Sequence, residues 1–140
     1  MNFLNVADPL GIKSAIPKDC GLYLLGNTVF NPITNEQFYM VKVGMSANLY
    51  DRMKGYMTNN PMVFHIAYKI INCQDYSHLP KYKQTTMKGR EVKAVEAQYH
   101  QAFEELQFQR FEYAKEWFLV DRQTYLEICE KKFDYFNIGG

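Results

Sequence analysis

Five residues of this chain combine types and spacings suited to phosphodiester chemistry: Tyr23, Lys42, Arg52, Tyr56 and Glu96. A phosphate is held best by a planar cation that meets two of its oxygens at once, which Arg52 offers. Arg52 and Tyr56 stand four residues apart, hence on one face of a helix, so Tyr56 can reach the same phosphate or its leaving group. Tyr23 and Lys42 lie in short apolar runs and could converge on an attacking water, one orienting it and the other accepting its proton. Both side chains titrate near about 10 when unperturbed, so a nearby cation must lower one of them, and Arg52 is the candidate. Glu96 is the candidate ligand of a divalent ion, Mg²⁺ or Mn²⁺. One carboxylate suffices where waters and the substrate phosphate complete the oxygen shell.

Positioning such groups requires a sheet and helices, and the patterning supplies both. Gly21–Gly26 and Phe38–Gly44 are short apolar runs that read as strands, joined by turn chemistry at Asn31–Asn35. Ser46 or Asn48 can cap a short helix whose Leu49, Met53 and Tyr56 or Met57 recur at helical spacing, ended by Asn59-Asn60-Pro61. Met62–Ile71 alternates as a third strand, and Gln74–Met87 is polar and carries Pro80, which predicts an exposed loop. From Lys88 or Gly89 to about Gln107, a stripe of Val92, Val95, Tyr99, Phe103 and Leu106 predicts an amphipathic helix. Glu96 falls at the margin of that stripe, about 40° round from Val92, where a carboxylate needs a partner. His100, one turn on, could orient Glu96 or touch DNA. Glu116–Val120 is a further extended piece, and Asp121 can cap a closing helix to about Lys132.

Composition bounds the rest. The 140 residues suffice for one core and predict a single domain over 1–140, its centre about 16–121 with the closing helix at about 121–132. Cys20, Cys73 and Cys129 are widely spaced and odd in number, so neither a disulfide framework nor a zinc site is indicated. A reduced, cytoplasmic setting fits that usage. The start lacks a signal-peptide pattern, and no apolar run approaches the roughly 18 residues of a membrane helix. Net charge is only +1, yet Lys42 to Lys93 holds nine basic residues against three acids. That stretch suits a polyanion, and an ordinary solvated surface accounts for the same charges. Lys54, Lys81, Lys83, Lys88, Arg90 and His100 are the candidate DNA contacts, with Tyr76 and Tyr82 interleaved as stacking partners of a clamp.

The order of these motifs resembles the GIY-YIG endonuclease superfamily. Gly21-Leu22-Tyr23 matches its first triplet and Lys42-Val43-Gly44 its second, followed by Arg52, Tyr56, Glu96-Ala97-Gln98-Tyr99-His100 and Glu116-Trp117-Phe118, the last as in a branch common in phages and mobile elements. Lys42 stands where the second triplet has Tyr. The resemblance implies a small α+β domain with a central three-stranded antiparallel sheet flanked by helices. It also implies a divalent-metal-dependent DNA endonuclease using Tyr23, Lys42, Arg52, Tyr56 and Glu96, with Mg²⁺ on Glu96. The Lys42 departure leaves open a second reading, an inactive DNA-binding module or repressor on the same fold.

Overall fold

The computed structural model describes residues 16–30, 32–59, 65–106, 109–110 and 116–138. In chain order the elements are β1 (Gly21–Phe30), β2 (Gln37–Ser46), α1 (Leu49–Asn59), β3 (His65–Ile70), α2 (Lys81–Glu105), β4 (Gln109–Arg110), β5 (Trp117–Asp121), α3 (Arg122–Lys132) and β6 (Tyr135–Ile138). The strands form one antiparallel sheet in the order β4-β5-β2-β1-β3-β6. The class is α+β as expected, but the sheet has six strands where three were expected. Two of the extra strands are the shortest, β4 and β6. The two-residue β4 is too short to leave an alternation in the sequence, and Tyr135–Ile138 sits at a sheet edge where one face needs no apolar pattern.

Period-two alternation assigns the two faces. Leu22, Leu24, Tyr39, Val41, Val43, Ala67, Phe118 and Val120 point one way, where Phe103 of α2 and Tyr125 and Cys129 of α3 cover them. Tyr23, Leu25 and Ile66 point the other way, under Leu49 and Met53 of α1. The result is three layers, with the sheet buried between helices. Fully burying each such Leu contributes about 2 kcal/mol.

Two helix starts follow the expected capping. Asn48 Oδ1 accepts the Asp51 N–H at 3.1 Å ahead of α1, and Asp121 Oδ2 accepts the Thr124 N–H at 2.9 Å at the start of α3. The expected loop at Gln74–Met87 is corrected: Lys81–Met87 are the first turns of α2. Pro80 opens that helix because its missing N–H would have no partner at a helix start, while its carbonyl accepts from Lys83 and Gln84 at 2.9 and 3.0 Å. The expected start of the third strand at Met62–Phe64, the stop at Asn60–Pro61 and the end of the long helix at Gln107 lie outside the described residues. Among the described residues no helix is long and apolar enough to cross a membrane.

Candidate functional site

The site is built where β1 and β2 run side by side. Tyr23 pairs with Gly44 in the β1/β2 register, and its ring lies across the space a side chain at 44 would fill. A Cβ on Gly44 would run into that ring, so glycine is required by close approach. Two residues back along β2, Lys42 emerges on the same face as Tyr23 and Gly44. Helix α1 packs over this face through Leu49 and Met53 and thereby brings Arg52 to the rim of the cleft. From the far side, α2 brings Glu96 and Lys93 round to the Gly44–Met45 end. The cleft, about 270 Å³, is lined by Tyr23, Lys42, Arg52, Lys93, Glu96 and Glu116. That is below the 300–1,000 Å³ usual for drug-sized ligands and leaves room for a phosphate with its waters. An open hollow along α1 shares Arg52 with the cleft and adds Tyr56, Ser46 and Asn48.

Lys42 is the hub. Its ammonium donates to the Tyr56 hydroxyl, lies 4.4 Å from the Tyr56 ring centre and stands 3.2 Å from Glu116 Oε2. Tyr56 in turn packs its ring against Tyr23, with centroids 6.2 Å apart. Glu96 and His100 occupy successive turns of α2 with 3.9 Å between Oε1 and Nε2. His100 Nε2 lies 3.1 Å from the Val43 carbonyl, which can only accept, so Nε2 carries the proton and the ring is tied to β2. Expected to orient Glu96 or touch DNA, His100 has a side chain only 13 % exposed and stands beside Glu96, while its Nε2 proton goes to the Val43 carbonyl.

The electrostatics revise one expectation. Burial pushes the Tyr23 phenol up to about 12; Arg52 pulls it down as expected, but Glu116 and Glu96 add to the rise. Tyr23 is therefore a neutral hydrogen-bond donor at ordinary pH, and the cation expected to make it a base loses to desolvation. The Glu96 carboxyl is raised as well, first by burial and then by Glu116, against the opposing pull of His100, Lys42 and Lys93. Its negative charge is short of compensation.

A divalent ion can be tested against this donor set. Among the described residues no three His, Cys, Asp or Glu gather as a metal group, so an all-protein cage does not fit. Glu96 and Glu116 lining one cleft do fit a Mg²⁺-type ion, which takes one or two carboxylates and keeps waters and phosphate for its other positions.

All five expected catalytic residues thus meet at the cleft or its rim. The expected DNA contacts do not all join them. Lys81, Lys83 and Arg90 are exposed along the first half of α2, and Lys54 lies near Tyr50 on α1. Lys88 instead faces a separate hollow beside Cys73, and Tyr76, expected to stack, is buried between β3 and α2. Sequence reasoning missed Lys93 and Glu116. Lys93 precedes Glu96 by three residues on the same helix face, a signal that was available. Glu116 was visible only as part of a motif, because its partner Lys42 is set by the β2/β5 pairing, in which Lys42 faces Trp117 and the Val43 N–H bonds the Glu116 carbonyl at 2.9 Å.

The family model of the T5orf172 domain matches residues 22–132, and the chain belongs to that family. This corrects the resemblance drawn from the triplets, since no GIY-YIG family model matches. A tyrosine packed over a glycine on the neighbouring strand is a local packing solution, so Gly-apolar-Tyr and apolar-Gly triplets report that contact rather than one lineage. T5orf172 domains are DNA-binding or nuclease-like domains found in phage and bacteria. No curated protein and no solved structure matches the chain.

Proposed function

We propose that this member of the T5orf172 family is a divalent-metal-dependent DNA endonuclease that hydrolyses phosphodiester bonds. The observation that carries the reading is the meeting, in one phosphate-sized cleft, of three cations and two carboxylates around a neutral tyrosine: Lys42, Arg52, Lys93, Glu96, Glu116 and Tyr23. Arg52 and Lys93 bind the phosphate and spread its charge. Glu96, with Glu116 beside it, would hold Mg²⁺ or Mn²⁺, which when bound supplies Lewis-acid stabilisation of charge on the phosphoryl oxygens. Tyr23, kept protonated, orients the attacking water. The Glu116 carboxylate, ion-paired with the Lys42 ammonium, takes up the proton that water loses. Tyr56, accepting from Lys42, keeps its own proton to donate toward a phosphoryl or leaving-group oxygen. The exposed Lys81, Lys83 and Arg90 along α2, with Lys54 on α1, contact the DNA backbone.

The test is nicking of supercoiled plasmid with and without EDTA. Arg52→Ala and Glu96→Ala are each expected to lower the metal-dependent rate by about 1,000-fold with unchanged thermal unfolding. Undiminished cleavage by both variants would falsify the assignment.

A second reading is favoured by a specific observation. Lys42 already has two partners, and the Tyr23 phenol is pushed away from the range of a base. On that reading the domain binds DNA without cutting it. It predicts strong, salt-sensitive binding with no nicking in Mg²⁺ or Mn²⁺.

A further inference from the structure

Two cysteines lie together outside the cleft. Cys20 immediately precedes β1 and Cys73 lies between β3 and α2; 53 residues apart in sequence, they bring their Sγ atoms to 3.1 Å. Unbonded carbon-sized atoms rest at roughly 3.5–4.0 Å, so the sulfurs are in intimate contact. Each is also anchored. The Cys20 thiol reaches the Ile71 carbonyl at 3.2 Å, while the Cys20 carbonyl accepts the Ile71 N–H at 3.0 Å. The Cys73 thiol points to the Lys88 carbonyl at 3.9 Å. Both are free thiols, partly buried, on a solvent-open hollow that Lys18 and Lys88 also line. Cys129 differs in being fully buried in the core, where α3 packs on the sheet.

We propose that Cys20 and Cys73 form a dithiol–disulfide pair, a modification site whose oxidant is a small anionic disulfide of the glutathione class. Lys18 and Lys88 offer positive charge to the carboxylates of such a molecule. The Cys20 sulfur, after losing its proton to solvent, attacks one sulfur of the small disulfide. That S–S bond breaks, one small thiol leaves, and a mixed disulfide stays on Cys20. Cys73 then loses its proton and attacks the Cys20 sulfur, breaking the mixed disulfide and releasing the second small thiol. The protein gives up two electrons and two protons, and the small disulfide is reduced to two thiols. Burial, the neighbouring Cys20 thiol and Glu91 push Cys73 up to about 12, which disfavours its thiolate in the reduced pair. Bond formation requires the sulfurs to close from 3.1 Å to about 2.05 Å, a shift within reach of side-chain rotation.

The cross-link would join two supports. The Asp19 and Pro17 carbonyls accept the Leu49 and Tyr50 N–H groups at 2.9 and 3.1 Å, so the Cys20 segment carries the start of α1. The Gln74 N–H donates to Glu91 Oε2 at 3.1 Å, so the Cys73 segment is held by α2.

The experiment incubates the whole chain with oxidised glutathione, then traps remaining thiols with a maleimide in denaturant and maps them by mass spectrometry. The expected product carries label on Cys129 alone, is lighter than the reduced chain by two hydrogens before labelling, yields a linked Cys20–Cys73 peptide and reverts with dithiothreitol. Its Tm is expected to rise by several degrees, with about 14 °C as the loop-entropy ceiling. Cys73→Ser is expected to retain a glutathione adduct on Cys20. Label on Cys20 and Cys73 after oxidation of the wild-type chain, or linkage only between two chains, overturns the proposal whether or not the variant folds.

Discussion

The cleft and the cluster around His65 lie on opposite faces of one sheet, and each holds a titratable ring neutral by burial. Tyr23 is pushed up to about 12 and His65 down to about 4. The surroundings differ in kind. Around Tyr23 stand Arg52, Glu96 and Glu116, charges that pull its titration both ways, in a cleft open to solvent. Around His65 stand Tyr39 and Tyr125, with ring centroids at 4.4 and 6.3 Å, and burial alone sets its shift. His65 Nε2 meets the Thr28 hydroxyl at 3.0 Å, while among the described residues Nδ1 has no hydrogen-bond partner and the Tyr125 hydroxyl has only the Cys129 thiol. Charges gathered in a half-open cleft can compensate one another and a ligand. The same polar atoms in a dry core only cost stability. The difference separates a region arranged for binding from one arranged for packing.

Breaking the cleft side of this contrast should give the largest effect. Lys42→Met removes the ammonium from Glu116 and Tyr56 while keeping an unbranched stem of similar reach. Nicking is expected to fall about 1,000-fold, equivalent to about 4 kcal/mol of transition-state stabilisation. Stability should change by less than about 1 kcal/mol, since Glu116 is half exposed and such pairs contribute little. Plasmid nicking rates and urea midpoints on the same preparation check both halves. A variant that cuts at the wild-type rate would remove Lys42 from the reaction.

How much of this was legible in the sequence depends on whether a residue's role is local. The stripe of Val92 and Phe103 announced α2, and Asn48 and Asp121 announced the starts of α1 and α3, because helix periodicity and capping act within a few residues. Tyr23, Lys42, Arg52, Tyr56 and Glu96 could be named because each belongs to a motif. The start of α2 was misread because Pro80 blocks a helix interior and favours a helix start, and composition alone does not say which. Neither Glu116 beside Lys42 nor Cys20 beside Cys73 could be read, since strand pairing decides both contacts across 74 and 53 residues. The strands β4 and β6 were invisible for a related reason, as they are defined by the neighbour they pair with.

The core side of the contrast is sharpened by pH. With a folded pKa of about 4 and an unfolded value near about 6.5, His65 binds more proton in the unfolded chain across that interval. Its contribution to stability is therefore complete above pH 6.5 and is lost as pH falls toward 4. The loss amounts to about 2 kcal/mol by pH 5 and about 3 kcal/mol at most. Urea unfolding at pH 7 and pH 5 measures it. His65→Gln, which cannot titrate, should show a smaller drop between the two pH values, and an equal drop would place the acid sensitivity elsewhere.

The smallest effect should come from the Tyr125 hydroxyl, and its sign is the informative part. It is fully buried and among the described residues has no nitrogen or oxygen partner; the Cys129 thiol, a weak acceptor, lies beside it. In the unfolded chain that hydroxyl is hydrated, so folding strips it of water and returns little. Tyr125→Phe keeps the ring that packs edge-on against Tyr39, centroids 5.3 Å apart, and removes only the stripped group. The variant is expected to be neutral or more stable by up to about 1 kcal/mol, read as a higher urea midpoint at unchanged slope. Tyr56→Phe in the cleft deletes the same atom with the opposite consequence, since there the hydroxyl accepts from Lys42, and nicking should fall while stability holds. If Tyr125→Phe instead lowers stability by more than 1 kcal/mol, the Cys129 thiol is an effective partner, and the two faces treat their hydroxyls alike.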